Sequence, residues 1–148
     1  MRAIRTFTIL FVFLAASGGR SGVVNADGGT AVHVIVNPDN ATGAVDRKFL
    51  AEAFLKKVTR WPNDELIRPV DQDAGSATRR AFSDGVLKRS VSAVKSYWQQ
   101  MVFSGGGVPP PELDSEGDVV KFVLKNRGAV GYVSVGVNLQ GAKILTVR

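Results

Sequence analysis

The stretch VDQDAGSATRRAF, Val70–Phe82, changes character twice in thirteen residues. Val70–Gln72 closes an extended run, Asp73–Ser76 is turn chemistry, and Ala77–Phe82 opens a helical segment, so the stretch reads strand, loop, helix. Arg79 and Arg80 stand near the start of that helix, where the macrodipole is positive and each cation is disfavoured by a few tenths to about 1 kcal/mol. A negative partner is required, and two are open. Asp71 and Asp73 can pair with the arginines while Ser76 caps the helix, leaving nothing to bind. Alternatively, Gly75, Ser76, Ala77, Thr78 and Arg79 form an oxyanion cradle: a glycine that admits close backbone approach, two hydroxyls, a cation, and helix N–H groups without intrahelical acceptors.

Upstream, AVHVIVN (Ala31–Asn37) is β-branched and apolar and predicts a buried strand. Asp46 caps a helix in which Phe49, Leu50, Ala53, Phe54 and Val58 recur at helical spacing, with Lys56 and Lys57 in its last turn. Pro62 breaks it. Leu66–Gln72 follows as a strand, placed at a sheet edge because Pro69 cannot donate to a ladder.

Downstream, the short helix is expected to stop near Asp84-Gly85. Val91, Val94, Trp98, Met101 and Val102 mark a longer helix, with Trp98 and Tyr97 as core anchors. Ser104–Asp118 is a long Gly/Pro-rich loop whose end, Ser115 with Asp118, resembles a capping box for DVVKFVLKN, and Gly128 is expected as its C′ stop. AVGYVSV and AKILTV are two strands separated by NLQG. The order β-α-β-α-α-α-β-β specifies an α/β domain with a mixed sheet flanked by helices.

Composition bounds the rest. The chain has 148 residues, 45% hydrophobic and 22% charged, enough for one core. Residues 1–26 read as a secretory signal peptide: Arg2 and Arg5, an apolar run from Thr6 to Ala16, then small residues, with cleavage after Ser17 or after Ala26. The apolar run is shorter than the roughly 20 residues a membrane span needs, so no span is expected after cleavage. Residues 27–148 then form the mature domain, periplasmic or secreted. The formal charge of +6 includes Arg2, Arg5 and Arg20, so the mature chain carries +3, below a nucleic-acid signature.

The chemistry available is narrow. The chain has no cysteine and a single histidine, His33, within an apolar strand, so neither a thiol nucleophile, a His-based triad nor a multi-histidine metal site can be assembled. Glu112, Asp114, Glu116 and Asp118 lack EF-hand spacing and read as a solvated loop with a helix cap, not a metal site. No nucleophile–base pair emerges, so the chain is read as a binding protein and not an enzyme, with no cofactor.

FLAEAFLKKVTRWPNDELIRPVDQDAGSATRRAF resembles the substrate-binding proteins of phosphate ABC transporters, in which a helix ending IFxGxxxxW, an isoleucine with a short strand, and GSGT…F follow in the same order. Phe54, Lys57, Trp61, Ile67, Gly75, Ser76, Thr78 and Phe82 fall in step, and NRGAVGYVSV (Asn126–Val135) resembles that family's xPGAIGYV strand. The resemblance covers most of residues 32–148. It implies a single periplasmic-binding-protein-like lobe, and phosphate or a related oxyanion held weakly by Ser76 and Thr78 hydroxyls and Gly75–Thr78 N–H groups. An ABC permease or another envelope protein is the implied partner. The family's second motif glycine is Ala77 here, and its phosphate-gripping arginine falls near Asp71-Gln72. A second reading stays open: a ligand-free protein–protein module on the same fold, using the Phe103–Leu113 loop.

Overall fold

Two β-branched runs organise the molecule. In the computed structural model, which describes Val23–Val24 and residues 30–148, β2 (Val32–Val36) pairs antiparallel with β7 (Ala129–Ser134), Val34 facing Tyr132. Alternation along these strands sends side chains to opposite faces. Val32, Val34, Val36, Val130 and Tyr132 enter one core, and Ile35, Ala129 and Val133 enter another. β4 (Arg68–Pro69) joins β7 in parallel at the sheet edge, as Pro69 requires, and β1 (Val23–Val24) and β8 (Lys143–Ile144) both pair antiparallel with β2.

Helices cover both faces. On the first, α1 (Arg47–Phe54), α2 (Ala77–Phe82) and α3 (Val91–Phe103) deliver Leu50, Phe54, Phe82, Val94 and Trp98 to the sheet. Phe82 stacks on Tyr132 with centroids 3.9 Å apart, and Phe54 packs against both rings. On the second, α4 (Glu116–Lys125) lays Val119, Val120 and Val123 onto β7. Gly131 permits that approach: a Cβ there would stand 2.6 Å from Val119 Cγ1 and 2.9 Å from Val70 Cγ1. This is the expected mixed sheet flanked by helices.

Local details depart from expectation. α1 ends at Phe54 and Lys56 adopts φ 54°, so Lys56 and Lys57 lie beyond the helix instead of in its last turn. The Leu66–Gln72 strand is interrupted: β4 belongs to the main sheet, and β5 (Asp71–Gln72) turns away to pair in parallel with β6 (Glu112–Leu113). α2 does not stop at Asp84-Gly85 but widens into a π-helical turn, Ser83–Leu87, ended by left-handed Lys88. α4 ends at Asn126 in extended conformation, and Gly128 serves another purpose. Its carbonyl accepts from Trp61 Nε1 (3.0 Å) and Arg68 N (2.9 Å), and a Cβ there would lie 1.9 Å from the Leu66 carbonyl oxygen. AKILTV divides between β8 and β9 (Thr146–Val147), which pairs with β3 (Ala44–Val45).

The leader read from residues 1–26 lies outside the described residues apart from Val23–Val24. Among the described residues no helix is long and apolar enough to cross a membrane.

Candidate functional site

The turn that follows β5 brings the predicted residues together, with Asp73, Ala74, Gly75 and Ala77 exposed to water. Ser76 caps α2 as expected: its Oγ accepts from Arg79 N at 3.2 Å. Its hydroxyl proton goes to Gln72 Oε1 at 2.9 Å, and Gln72 Nε2 in turn donates to the Tyr132 carbonyl at 2.7 Å. Gly75 N donates to Asp73 Oδ1 at 2.8 Å, and a Cβ at Gly75 would meet that same oxygen at 3.0 Å. Asp73 thus closes the turn and leaves Arg80 without it.

Thr78 and Arg79 both face inward. Thr78 Oγ1 donates to Glu116 Oε1 (2.8 Å), and Glu116 also accepts from Ser134 N (2.7 Å) and Ser134 Oγ (2.8 Å). Arg79 is 3% exposed. Its Nη2 lies 3.2 Å from Asp71 Oδ2, and its Nη1 lies 2.6 Å from Glu112 Oε1 while donating to the Gln72 carbonyl. Tyr132 donates its hydroxyl to Asp71, which also accepts from Gln72 N at 3.0 Å. Of the two arginines, one therefore finds a carboxylate partner inside the protein. Arg80 is exposed and makes no ion pair among the described residues.

Two donors of the expected cradle stay open. Arg79 N goes to Ser76 Oγ and Arg80 N to the Ser76 carbonyl, whereas the N–H groups of Ala77 and Thr78 meet no acceptor among the described residues. The electrostatic setting opposes their use by anions, since Asp71, Asp73, Glu112 and Glu116 all border the turn. Burial raises the Asp71 carboxyl above its ordinary value, even though Arg79, the Tyr132 hydroxyl and Gln72 N–H favour its anion. Burial opposes the Arg79 charge as well, but Asp71 and Glu112 outweigh it and keep the guanidinium firmly protonated. Burial, followed by the Asp71 charge and the hydrogen bond to it, pushes the Tyr132 phenol up, so it remains a donor.

Glu112, Glu116, Gln72, Tyr132 and Ser134 were not anticipated as parts of this site. The acids read locally as a loop and a cap. Only the parallel β5–β6 pairing, Asp71 opposite Glu112, carries Glu112 to the turn.

With β7, the turn and α2 in place, the arrangement can be set beside known structures. A protein from Clostridium perfringens, assigned as a phosphate ABC transporter substrate-binding protein and solved with bound phosphate, superposes with a TM-score of 0.62. It is 21% identical and aligns over 78% of this chain and 44% of its own. The chain has the fold of a phosphate ABC transporter substrate-binding protein lobe. An ABC-type phosphate transport receptor from Vibrio cholerae (TM-score 0.60, 18% identity, 85% of this chain and 47% of that one) agrees. So does PstS from Borrelia burgdorferi (TM-score 0.62, 14% identity, 86% and 49%). The chain spans just under half the length of these structures. No sequence-family model and no curated protein matches it.

Proposed function

We propose that this protein is an exported solute-binding module that takes phosphate or a related oxyanion weakly at the Gly75–Thr78 turn. The observation that carries the reading is the pair of unclaimed N–H groups, Ala77 and Thr78, at the exposed start of α2, on a fold shared with a phosphate-bound protein. The Ser76 hydroxyl stands beside them and can exchange Gln72 for a ligand oxygen, whereas the Thr78 hydroxyl, buried against Glu116, has to turn outward to reach one. Arg79 contributes to the local potential from within its ion pairs and does not grip the anion. The surrounding carboxylates set the strength. Each repels an anion at 4 Å by about 1 kcal/mol in water, and by more where shielded. A Kd of roughly a millimolar, worth about 4 kcal/mol, is the expected scale.

Phosphate titrated into the 15N-labelled protein should move the Ala77 and Thr78 amides ahead of all others, saturating in the millimolar range. Amides that stay fixed under phosphate, sulfate and arsenate would refute the reading. Delivery to an ABC permease across the envelope belongs to the same proposal. Cell fractionation that finds the protein in the cytoplasm would remove it.

A second reading is a ligand-free interaction module of the envelope. It is favoured by Phe103, 96% exposed, beside half-exposed Val102 and the exposed Val108 of the Gly/Pro loop. Under that reading phosphate leaves melting unchanged, and Phe103→Ser weakens capture of one specific envelope protein.

A further inference from the structure

We propose, resting on the export reading above, that β1 is the first strand of the mature protein and that processing falls upstream of it, at the Ser17–Gly18 bond. The leader offers two cleavage points. Cutting after Ala26 would discard Val23 and Val24, and these two residues belong to the main sheet. Val23 lies opposite His33 and Val24 opposite Val32, antiparallel, and β1 also lies beside β9. Cutting after Ser17 keeps both residues.

Backbone direction explains what β1 does for the fold. Successive residues of a strand turn their N–H and C=O groups to alternate sides. Ala31 faces β7, where its carbonyl accepts from Val135 N at 3.1 Å, and Val34 faces the other way, accepting from Leu145 N at 2.8 Å. Val32 therefore points away from β7 and toward Val24. On that side β8 covers β2 only at Ile35 and Val36. Without β1, the Val32 N–H and C=O stand unpaired on an apolar, β-branched edge, which is a template for pairing with another chain. The leader's own chemistry agrees, because Ala15 and Ser17 place small residues at the end of the apolar run, whereas Ala26 stands well beyond it. A leader peptidase of the envelope would add one water across the Ser17–Gly18 amide, leaving a carboxylate on Ser17 and an amine on Gly18. Arg20 then stays in the mature chain, and the formal charge of +6 loses only Arg2 and Arg5, leaving +4.

Intact mass and N-terminal sequencing of the exported protein, made from the full chain in a bacterial host, provide the test. The mature protein should begin at Gly18, Ser17→Leu should abolish processing, and Ala26→Leu should leave it unchanged. In the exported protein the Val32 amide should exchange about fivefold more slowly than in Val24→Pro, which removes a ladder donor. A protein that begins at Asp27, processing blocked by Ala26→Leu, or equal Val32 exchange in the two proteins would each overturn the assignment while leaving export intact. Unprocessed protein held in the cytoplasm would instead end the export reading, and the assignment with it.

Discussion

Arg79 and Asp71 face each other across the turn at 3.2 Å, both side chains less than a tenth exposed. A buried pair of this kind adds little net stability, because desolvation offsets attraction, but losing one member strands the other. Arg79→Met should therefore lower unfolding stability by about 3–5 kcal/mol at neutral pH. Asp71→Leu combined with Arg79→Met should recover most of the loss. Urea denaturation of the single and double variants checks both, and a double variant no better than Arg79→Met would contradict the account.

The same carboxyl sets a pH dependence. Asp71 is raised above its ordinary 3.8, chiefly by burial. An acid held more tightly in the folded state contributes stability that is fully present below its unfolded pKa and is lost as pH rises toward the folded value. Relative to the non-titrating Asp71→Asn, wild type should lose stability as pH rises above the ordinary carboxyl value of 3.8 toward the raised folded one. Urea midpoints that move the opposite way would show the ionised form to be the favoured one.

Glycines test the packing. Gly131→Ala drives a methyl into Val119 and Val70 side chains, which can yield, and should cost about 1–3 kcal/mol. Gly128→Ala meets the Leu66 backbone carbonyl, which cannot yield without disturbing the Trp61 and Arg68 hydrogen bonds, so its loss should be the larger. Comparable melting temperatures for the two variants would argue against the difference.

Carboxylates should govern anion affinity. Asp73→Asn keeps an acceptor for Gly75 N while removing a charge from the exposed turn. Phosphate affinity should rise about fivefold, the equivalent of about 1 kcal/mol, and the gain should shrink as salt screens it. An unchanged affinity in amide-shift titrations would place the anion elsewhere or nowhere.

Periodicity carried the large elements. Val32–Val36 and the Val91-Val94-Trp98-Met101 spacing gave a strand and a helix, and Asp46, Ser76 and Ser115 each cap a helix through their own side chain. Around the turn the Ser76 cap and the Arg79–Asp71 pair were legible, whereas Asp73, expected to pair with an arginine, instead accepts from Gly75 N. What sequence could not supply was the partner across space. Glu116 reaches Thr78 from 38 residues away, and Tyr132 reaches Asp71 from 61. Nothing in the local pattern of Glu116 distinguishes an acid of a helix first turn from a hydrogen-bond acceptor for a distant turn. The π-helical extension after Phe82 was invisible because Asp84-Gly85 carries a stop signal that tertiary packing of Val86 and Leu87 overrode.

The parallel pairing of Asp71–Gln72 with Glu112–Leu113 also predicts an order of events in folding. A two-residue ladder cannot hold closed, by itself, the long intervening chain that contains both α2 and α3, because loop closure costs entropy before so few contacts return it. Arg79 and Glu112, 33 residues apart, should therefore meet only after α3 has docked. The turn should acquire its final shape late in folding, with the hydrogen-bonded amides of Ser76, Arg79 and Arg80 among the last to gain protection from hydrogen exchange.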